Sequence, residues 1–281
     1  MMGLAHLLEW GLRQFEEKTT SPTTIRWAAR LVGRWLGKTP GASRLGGIQQ
    51  IRLRRAAAYA ARHSPFYRRM FQRLGLHPGE IRSAADLSKL PFTTPADLRN
   101  WQDFICVPQE RLAGVFTTSG TAGEPKRVYF TLRDLAVMTN LAAVVLRLSF
   151  PGRLAALLAL PHGGGIWIGT GTAQRMIERA GGLPLSLGCG DPRGLLQWMR
   201  RFEPNLVISS PTYMTTLTRA AEREGFKARL EQVLLGGEPL YAEQREYISA
   251  YWGAAVMNGY GATELGGAQT LTFTSGGGMA L

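Results

Sequence analysis

Pro204-Asn-Leu-Val-Ile-Ser-Ser-Pro-Thr-Tyr213 is the stretch on which the fold turns. Residues 205–209 form a short strand-like run, and a helical period over 211–225 follows at once. The same passage from strand to helix recurs along the C-terminal two thirds of the chain. Strands are predicted over 113–117, 127–131, 154–160, 205–209, 232–236 and 254–258. Helices are predicted over 132–148, 168–181, 192–202, 211–225 and 240–252. Alternation of this kind specifies an α/β fold with a mostly parallel sheet flanked by helices. Ligands of such sheets bind beyond the carboxyl ends of the strands, so the loops there carry the functional question.

Three loops stand out. Thr117-Thr-Ser-Gly-Thr-Ala-Gly-Glu-Pro-Lys126 joins two strand-like runs and combines hydroxyl side chains, two glycines and a lysine. Backbone N–H groups, hydroxyls and one cation suit phosphate, which makes ATP the first ligand to test. It is not a Walker loop, because Pro125 precedes Lys126 and a strand rather than a helix follows. By composition it also suits an ordinary solvated turn. In Leu235-Gly-Gly-Glu-Pro-Leu240 the paired glycines let a flat ligand lie on the backbone, although the same residues make a good helix-start turn. In Asn258-Gly-Tyr-Gly-Ala-Thr-Glu264 a tyrosine can stack on a purine, a threonine can bond a phosphate and a carboxylate can hold Mg²⁺.

Composition narrows the class. The chain has 281 residues, 45% of them hydrophobic, enough for a large core. No apolar run approaches the roughly 18 residues of a membrane span. The N-terminus lacks a basic segment and a cleavage site, which argues against secretion. Cys106 and Cys189 are the two cysteines, far apart, and read as free thiols in a reducing cytoplasm rather than a zinc site. Residues 1–100 carry 17 Lys and Arg against 6 Asp and Glu, so most of the net charge of +13 belongs to the N-terminal third. Helices are predicted over 3–18 and 23–37, followed by a Gly/Pro/Ser linker (37–47), a long basic helix (48–62), a short helix after Ser64-Pro65, and further short helices opened by Ser83 and by Thr94-Pro95. Over residues 25–38, Ile25, Ala28, Ala29, Leu31, Val32, Trp35 and Leu36 share one face, and Arg26, Arg30, Arg34 and Lys38 the other. That pattern suits peripheral membrane contact, and more readily a surface helix packed on its own domain.

The three loops in this order resemble those of the AMP-forming acyl-adenylating superfamily. Ala60-Ala-Arg-His-Ser-Pro-Phe-Tyr-Arg-Arg69, Leu90-Pro-Phe-Thr-Thr-Pro-Ala-Asp-Leu98 and Pro204–Tyr213 narrow the resemblance to phenylacetate–CoA ligase-like enzymes, from residue 48 onward. The resemblance implies an incomplete large N-terminal adenylation domain over 48–281, preceded by a helical basic extension and linker over 1–47. It implies ATP, Mg²⁺ and CoA or a carrier-protein thiol, with a small-molecule carboxylate as substrate. Ser119, Gly120, Thr121, Gly123 and Lys126 would hold phosphates. Gly237, Glu238 and Pro239 would frame adenine, with Tyr260 and Gly261 beside it. Thr263 would contact the α-phosphate and Glu264 would hold the metal, so Lys126, Thr263 and Glu264 are the expected catalytic groups. His162, Trp167 and Tyr213 are the candidates for the carboxylate pocket.

Departures from the family pattern bear on this expectation. Ala122 replaces a hydroxyl usual in the phosphate loop, and Arg127 could compensate. Family members continue past the Tyr260–Glu264 loop with a ribose-binding aspartate, a hinge and a small domain bearing a lysine. The expectation is therefore a chain truncated before that domain, with impaired turnover. Two other readings stand beside a ligase: a nucleotide-binding protein without turnover, and a protein acting on membranes or nucleic acid through its basic N-terminal third. Nucleic acid is not the expected partner, a homodimer is admitted, and the expected compartment is the cytoplasm.

Overall fold

The computed structural model describes residues 21–36, 42–117, 126–160 and 167–272. The expected helix over 3–18 lies outside them, as does the phosphate loop between residues 118 and 125. The described chain forms two compact units, one within residues 30–137 and the other comprising 20–29 and 138 onward.

The first unit is helical with one hairpin. It contains α2 (Ala42–His63), α3 (Pro65–Arg73), and the antiparallel pair β1 (Leu112–Thr117) and β2 (Arg127–Thr131). Helix α2 begins at Ala42, so residues 42–47 are helical rather than linker. Beyond Gly46 and Gly47, glutamines at 49–50 and then the arginines and alanines of 52–58 favour the helix and carry it through the two glycines. Ser64 starts α3 as predicted. Its hydroxyl accepts from Tyr67 N–H at 3.3 Å and donates to the Asp103 carbonyl at 2.7 Å. Phe66 stacks on Phe104 at 4.3 Å, and Trp101 on Tyr129 at 4.2 Å. The segments opened by Ser83 and Thr94 are 3₁₀ turns, Ala84–Lys89 and Asp97–Arg99, rather than α-helices. In each, one carboxylate gathers the turn. Asp86 accepts from the Ser83 N–H and hydroxyl, and Asp97 does the same for Thr94.

The second unit carries the sheet. Its strands are β3 (Ala155–Ala159), β4 (Leu183–Ser186), β5 (Leu206–Ser209), β6 (Gln232–Gly236), β7 (Ala255–Ala262) and β8 (Gly267–Thr272), in spatial order β4-β3-β5-β6-β7-β8. The first five run parallel and β8 is antiparallel to β7. Every residue of β3 and β5 is buried, which is why these runs read as continuously apolar. Helices α5 (Ile168–Arg179), α6 (Pro192–Phe202), α7 (Pro211–Arg223) and α8 (Ala242–Trp252) supply the covering layers. Leu157, Leu196, Val207, Met214, Leu217, Val233, Ile248 and Trp252 meet in one core. Each large side chain buried there contributes about 1.5–3 kcal/mol.

Helix α1 (Pro22–Leu36) forms where the cationic amphipathic segment was predicted. Ile25, Ala28 and Ala29 are buried, and Pro22 and Arg26 lie against Gly181 in the turn before β4. Over these residues the apolar face is used by the protein's own core, as in the reading of a helix packed on its own domain. Among the described residues no helix is long and apolar enough to cross a membrane.

Helix α4 (Leu132–Ser149) is opened by a reciprocal cap between Thr131 and Asp134. Near its end, Arg147 is almost wholly buried. Its guanidinium donates to the carbonyls of Phe150 (2.9 Å), Gly152 (2.7 Å), Gly181 (3.0 Å) and Ala180. These carbonyls immediately precede β3 and β4, so one side chain pins the entry to two strands. Burial, and after it the nearby Arg26, lowers the Arg147 pKa, while carbonyl dipoles stand in for a carboxylate partner.

Candidate functional site

The sheet order places the crevice. From β3 the chain moves outward to β4 on one side, and from β5 it moves to β6 on the other, so the topological switch point lies between β3 and β5. The carboxyl ends of these two strands are tied together, with the Ser209 hydroxyl donating to the Ala159 carbonyl at 2.9 Å. The described residues singled out in this unit from sequence lie at or just beyond the carboxyl ends of β3, β5, β6 and β7.

Beyond β6 the backbone is tightly constrained. Gly236 is paired in register with Gly259 of β7, and a Cβ built on Gly236 would sit 2.8 Å from the Gly259 carbonyl oxygen. No side chain fits there. Gly237 follows with φ of +84°, a conformation that strains any residue with a Cβ. The nearest atom to a Cβ at Gly237 would be Cζ2 of Trp167, 4.0 Å away. A backbone surface with an indole at its border is left. Trp167 lies immediately before α5, and its ring also covers Gly169, so that a Cβ there would require the indole to shift.

Tyr260 and Gly261 flank a register irregularity where β7 meets β8, and the Tyr260 residue is 53% exposed. Thr263 and Glu264 open the 3₁₀ turn Thr263–Leu265 directly after β7. The paired glycines, Tyr260, Thr263 and Glu264 are thus assembled at the ends of the neighbouring strands β6 and β7. Among the described residues there is no cluster of three or more side chains able to enclose a metal. A single carboxylate such as Glu264 suits an ion that takes most of its remaining ligands from phosphates and water.

Tyr213 lies in the first turn of α7, where its hydroxyl donates to the Gly190 carbonyl at 2.6 Å. Its pKa is pushed up to about 12, by burial first and then by Cys189 and Asp191. It therefore remains a donor across the working pH range. Cys189 is an exposed residue whose Sγ is partly desolvated and donates to the Ala159 carbonyl at 3.4 Å; that desolvation and then Glu238 raise its pKa. Burial does the same at Cys106. Both thiols are expected to alkylate with iodoacetamide at pH 8 several-fold more slowly than a free cysteine peptide. Mass-spectrometric rates check this, and a rate at either site matching the peptide would contradict the assigned environment.

Other predicted site residues stand differently. Lys126 is described, at the entry to β2 in the first unit, while Ser119, Gly120, Thr121, Gly123 and His162 lie outside the described residues. Pro239 follows Glu238 on the way to α8. The Glu238 carboxylate accepts from the backbone N–H and the hydroxyl of Thr212. Thr212 was quoted within the Pro204–Tyr213 stretch without a role, since its partner lies 26 residues away.

Comparison with known proteins follows the same lines. Residues 80–278 match the family described as AMP-binding enzyme. The phenylacetate-coenzyme A ligase of Aromatoleum evansii is 31% identical over 228 residues, covering 79% of this chain and 52% of that protein. The enzyme of the same name from Escherichia coli (strain K12) is 29% identical over 236 residues, covering 82% and 54%. The chain spans about half the length of the curated relatives it matches. A crystal structure of 2-hydroxyisobutyryl-CoA ligase with 2-HIB-AMP and CoA, in the thioesterification state, aligns with a TM-score of 0.76 at 26% identity. That alignment covers 86% of this chain and 54% of the other. With the family match running from residue 80 to 278 and the glycine, tyrosine and glutamate loops assembled at adjoining strand ends, this chain belongs to the AMP-binding enzyme family and is phenylacetate–CoA ligase-like.

Proposed function

We propose that this chain provides the nucleotide-binding part of an AMP-forming carboxylate–CoA ligase, with residues 48–281 as the adenylate-forming part and 1–47 as an extension to it. The observation that carries the reading is the Gly236–Gly259 approach. It creates a side-chain-free platform beside Tyr260, Thr263 and Glu264 at the ends of β6 and β7. In this reading the platform takes the adenine face and Tyr260 stacks on it. Thr263 contacts the α-phosphate, and Glu264 holds Mg²⁺ beside the phosphates. Ser119, Gly120, Thr121, Gly123 and Lys126 act on the outer phosphates.

The reaction joins a carboxylate oxygen to the α-phosphorus of ATP and releases pyrophosphate. A thiol then displaces AMP from the acyl-adenylate to give the thioester. CoA is the proposed acceptor, because the relatives are named as coenzyme A ligases. A nucleophile on the protein is not required, so the residues act by positioning and by neutralising charge. Trp167 and Tyr213, beside the switch point, are proposed to border the carboxylate pocket together with His162.

The test is carboxylate-dependent exchange of labelled pyrophosphate into ATP, across aryl and alkyl acids that include phenylacetate and 2-hydroxyisobutyrate. Exchange is expected, and replacing Lys126 or Glu264 with alanine should weaken ATP·Mg²⁺ binding about tenfold or more, the scale of one charge-assisted contact. Nucleotide binding without exchange under any acid would leave a binding protein rather than a ligase. Full-strength ATP binding by both alanine variants would remove these residues from the site.

A further inference from the structure

The loop after β6 is secured at both ends, by different means. At Gly236 the backbone is held by its ladder pairing with Gly259 of β7. Two residues later, Glu238 Oε2 accepts two hydrogen bonds from Thr212, at 2.5 Å from Oγ1 and at 3.2 Å from the backbone N–H. Between these anchors lies Gly237, which has no side chain to hold its own φ of +84°.

Thr212 is well placed for this purpose. Helix α7 begins with Ser210 as its cap and Pro211 in its first turn. Ser210 Oγ takes the Tyr213 N–H at 3.3 Å, and proline has none to offer. The Thr212 N–H is the donor of that turn left for an outside acceptor, and a carboxylate is favoured there by the helix dipole. Glu238 supplies it from the loop after the neighbouring strand, β6. The short Oγ1 contact adds a charge-assisted bond that fixes the carboxylate's direction. Tyr213, the next residue, holds the Gly190 carbonyl, so the first turn of α7 is itself anchored on a third loop.

We propose that Thr212 and Glu238 form a brace that holds the Gly236–Gly237 backbone in its purine-receiving shape, which makes Thr212 a positioning residue for nucleotide binding. The proposal rests on the nucleotide reading above. Its physical content is preorganisation: a glycine loop fixed before binding does not lose conformational entropy when the nucleotide arrives. Thr212 need not touch the nucleotide.

The experiment measures ATP·Mg²⁺, AMP and GTP·Mg²⁺ binding to the full chain by calorimetry, with thermal unfolding followed in parallel. Thr212→Val, which removes the hydroxyl, is expected to raise the ATP dissociation constant about five- to tenfold, the scale of one solvent-exposed hydrogen bond. Thr212→Ser should stay within about twofold of the parent, because Oγ is kept. Glu238→Ala should match Thr212→Val, and Glu238→Gln, which can still accept both bonds, should lose less. The Thr212→Val/Glu238→Ala double variant should bind no more weakly than either single variant, as expected for one shared interaction.

The ratio of GTP to ATP affinity separates positioning from general loosening, since a relaxed loop discriminates purines less well. Weakened binding with an unchanged ratio, or independent and additive losses, would overturn the brace. If Thr212→Val does not fold, Glu238→Ala and Glu238→Gln carry the comparison. A parent protein that binds neither ATP nor AMP would remove the nucleotide reading and the brace with it. A parent that binds ATP while Thr212→Val binds equally well would remove the brace alone.

Discussion

Replacing Gly236 with alanine is expected to eliminate measurable nucleotide binding and to destabilise the sheet by about 2 kcal/mol. The new Cβ would stand 2.8 Å from the Gly259 carbonyl oxygen, which belongs to the backbone of the paired strand and cannot rotate away. Relief requires β6 and β7 to separate at the last pair of their ladder, next to Gly237 and Tyr260. Both the ladder and the platform are therefore affected. Gly152→Ala is the matched control, since a Cβ there meets nothing within 4 Å and the backbone is not left-handed. That control should fall within about 0.5 kcal/mol of the parent. Urea unfolding and ATP titration of both variants test the claim. A Gly236→Ala protein with the parent's midpoint and affinity would show that the strands tolerate the clash, and the platform argument would fail.

Replacing Arg147 with methionine has a comparable expected cost, about 3 kcal/mol or more, and a different signature. The substitution fills much of the volume yet leaves the carbonyls of Phe150, Gly152, Ala180 and Gly181 without their shared donor. An unsatisfied buried polar group costs about 1–3 kcal/mol, and the four do not add in full because some admit water. Lysine in place of Arg147 keeps the charge but cannot reach four carbonyls with one ammonium, so it too should be destabilising. The carbonyls lie at the entrances to β3 and β4, away from the strand ends that bear the nucleotide loops. The folded fraction should therefore bind ATP with unchanged affinity. Denaturant midpoint and ligand affinity, measured on the same samples, separate the two variants. Gly236→Ala lowers both, whereas Arg147→Met lowers only the midpoint. An unchanged midpoint for Arg147→Met would mean that water replaces the guanidinium at little cost.

The elements that the sequence conceals share a physical character. Strand β4, Leu183-Pro-Leu-Ser186, is short and contains a proline, so its pattern suggests a loop. It is an edge strand, where a missing N–H can face away from the ladder. Strand β8 has a run of small and polar residues, Gly-Ala-Gln-Thr-Leu-Thr, that lacks the apolar signature of its neighbours. The buried strands β3, β5 and β6 and the helices α4 to α8 were legible because each is long or apolar enough to declare its own period. The amphipathic stretch at 25–38 was legible as a helix, but not as to what its apolar face meets. Periodicity identifies a face that must be covered and is silent on whether a lipid surface or the protein covers it. Burial of Ile25, Ala28 and Ala29 answers that for part of the helix.

The candidate site divides in the same way. Gly236, Gly237, Tyr260, Thr263 and Glu264 could be picked out in advance because glycine pairs and a tyrosine–threonine–glutamate loop are local features that follow apolar strands. By itself the sequence determined the α/β alternation, the placement of these loops after strands and the family resemblance, since all three are carried by short-range composition and order. Only the tertiary structure decided the strand order that puts the switch point between β3 and β5. It also decided the 2.8 Å approach that forbids a side chain at Gly236, the engagement of Glu238 by Thr212, and the capture of four carbonyls by Arg147. Each of these joins groups from different elements. Their distances depend on how the whole sheet closes, and no local pattern encodes that closure.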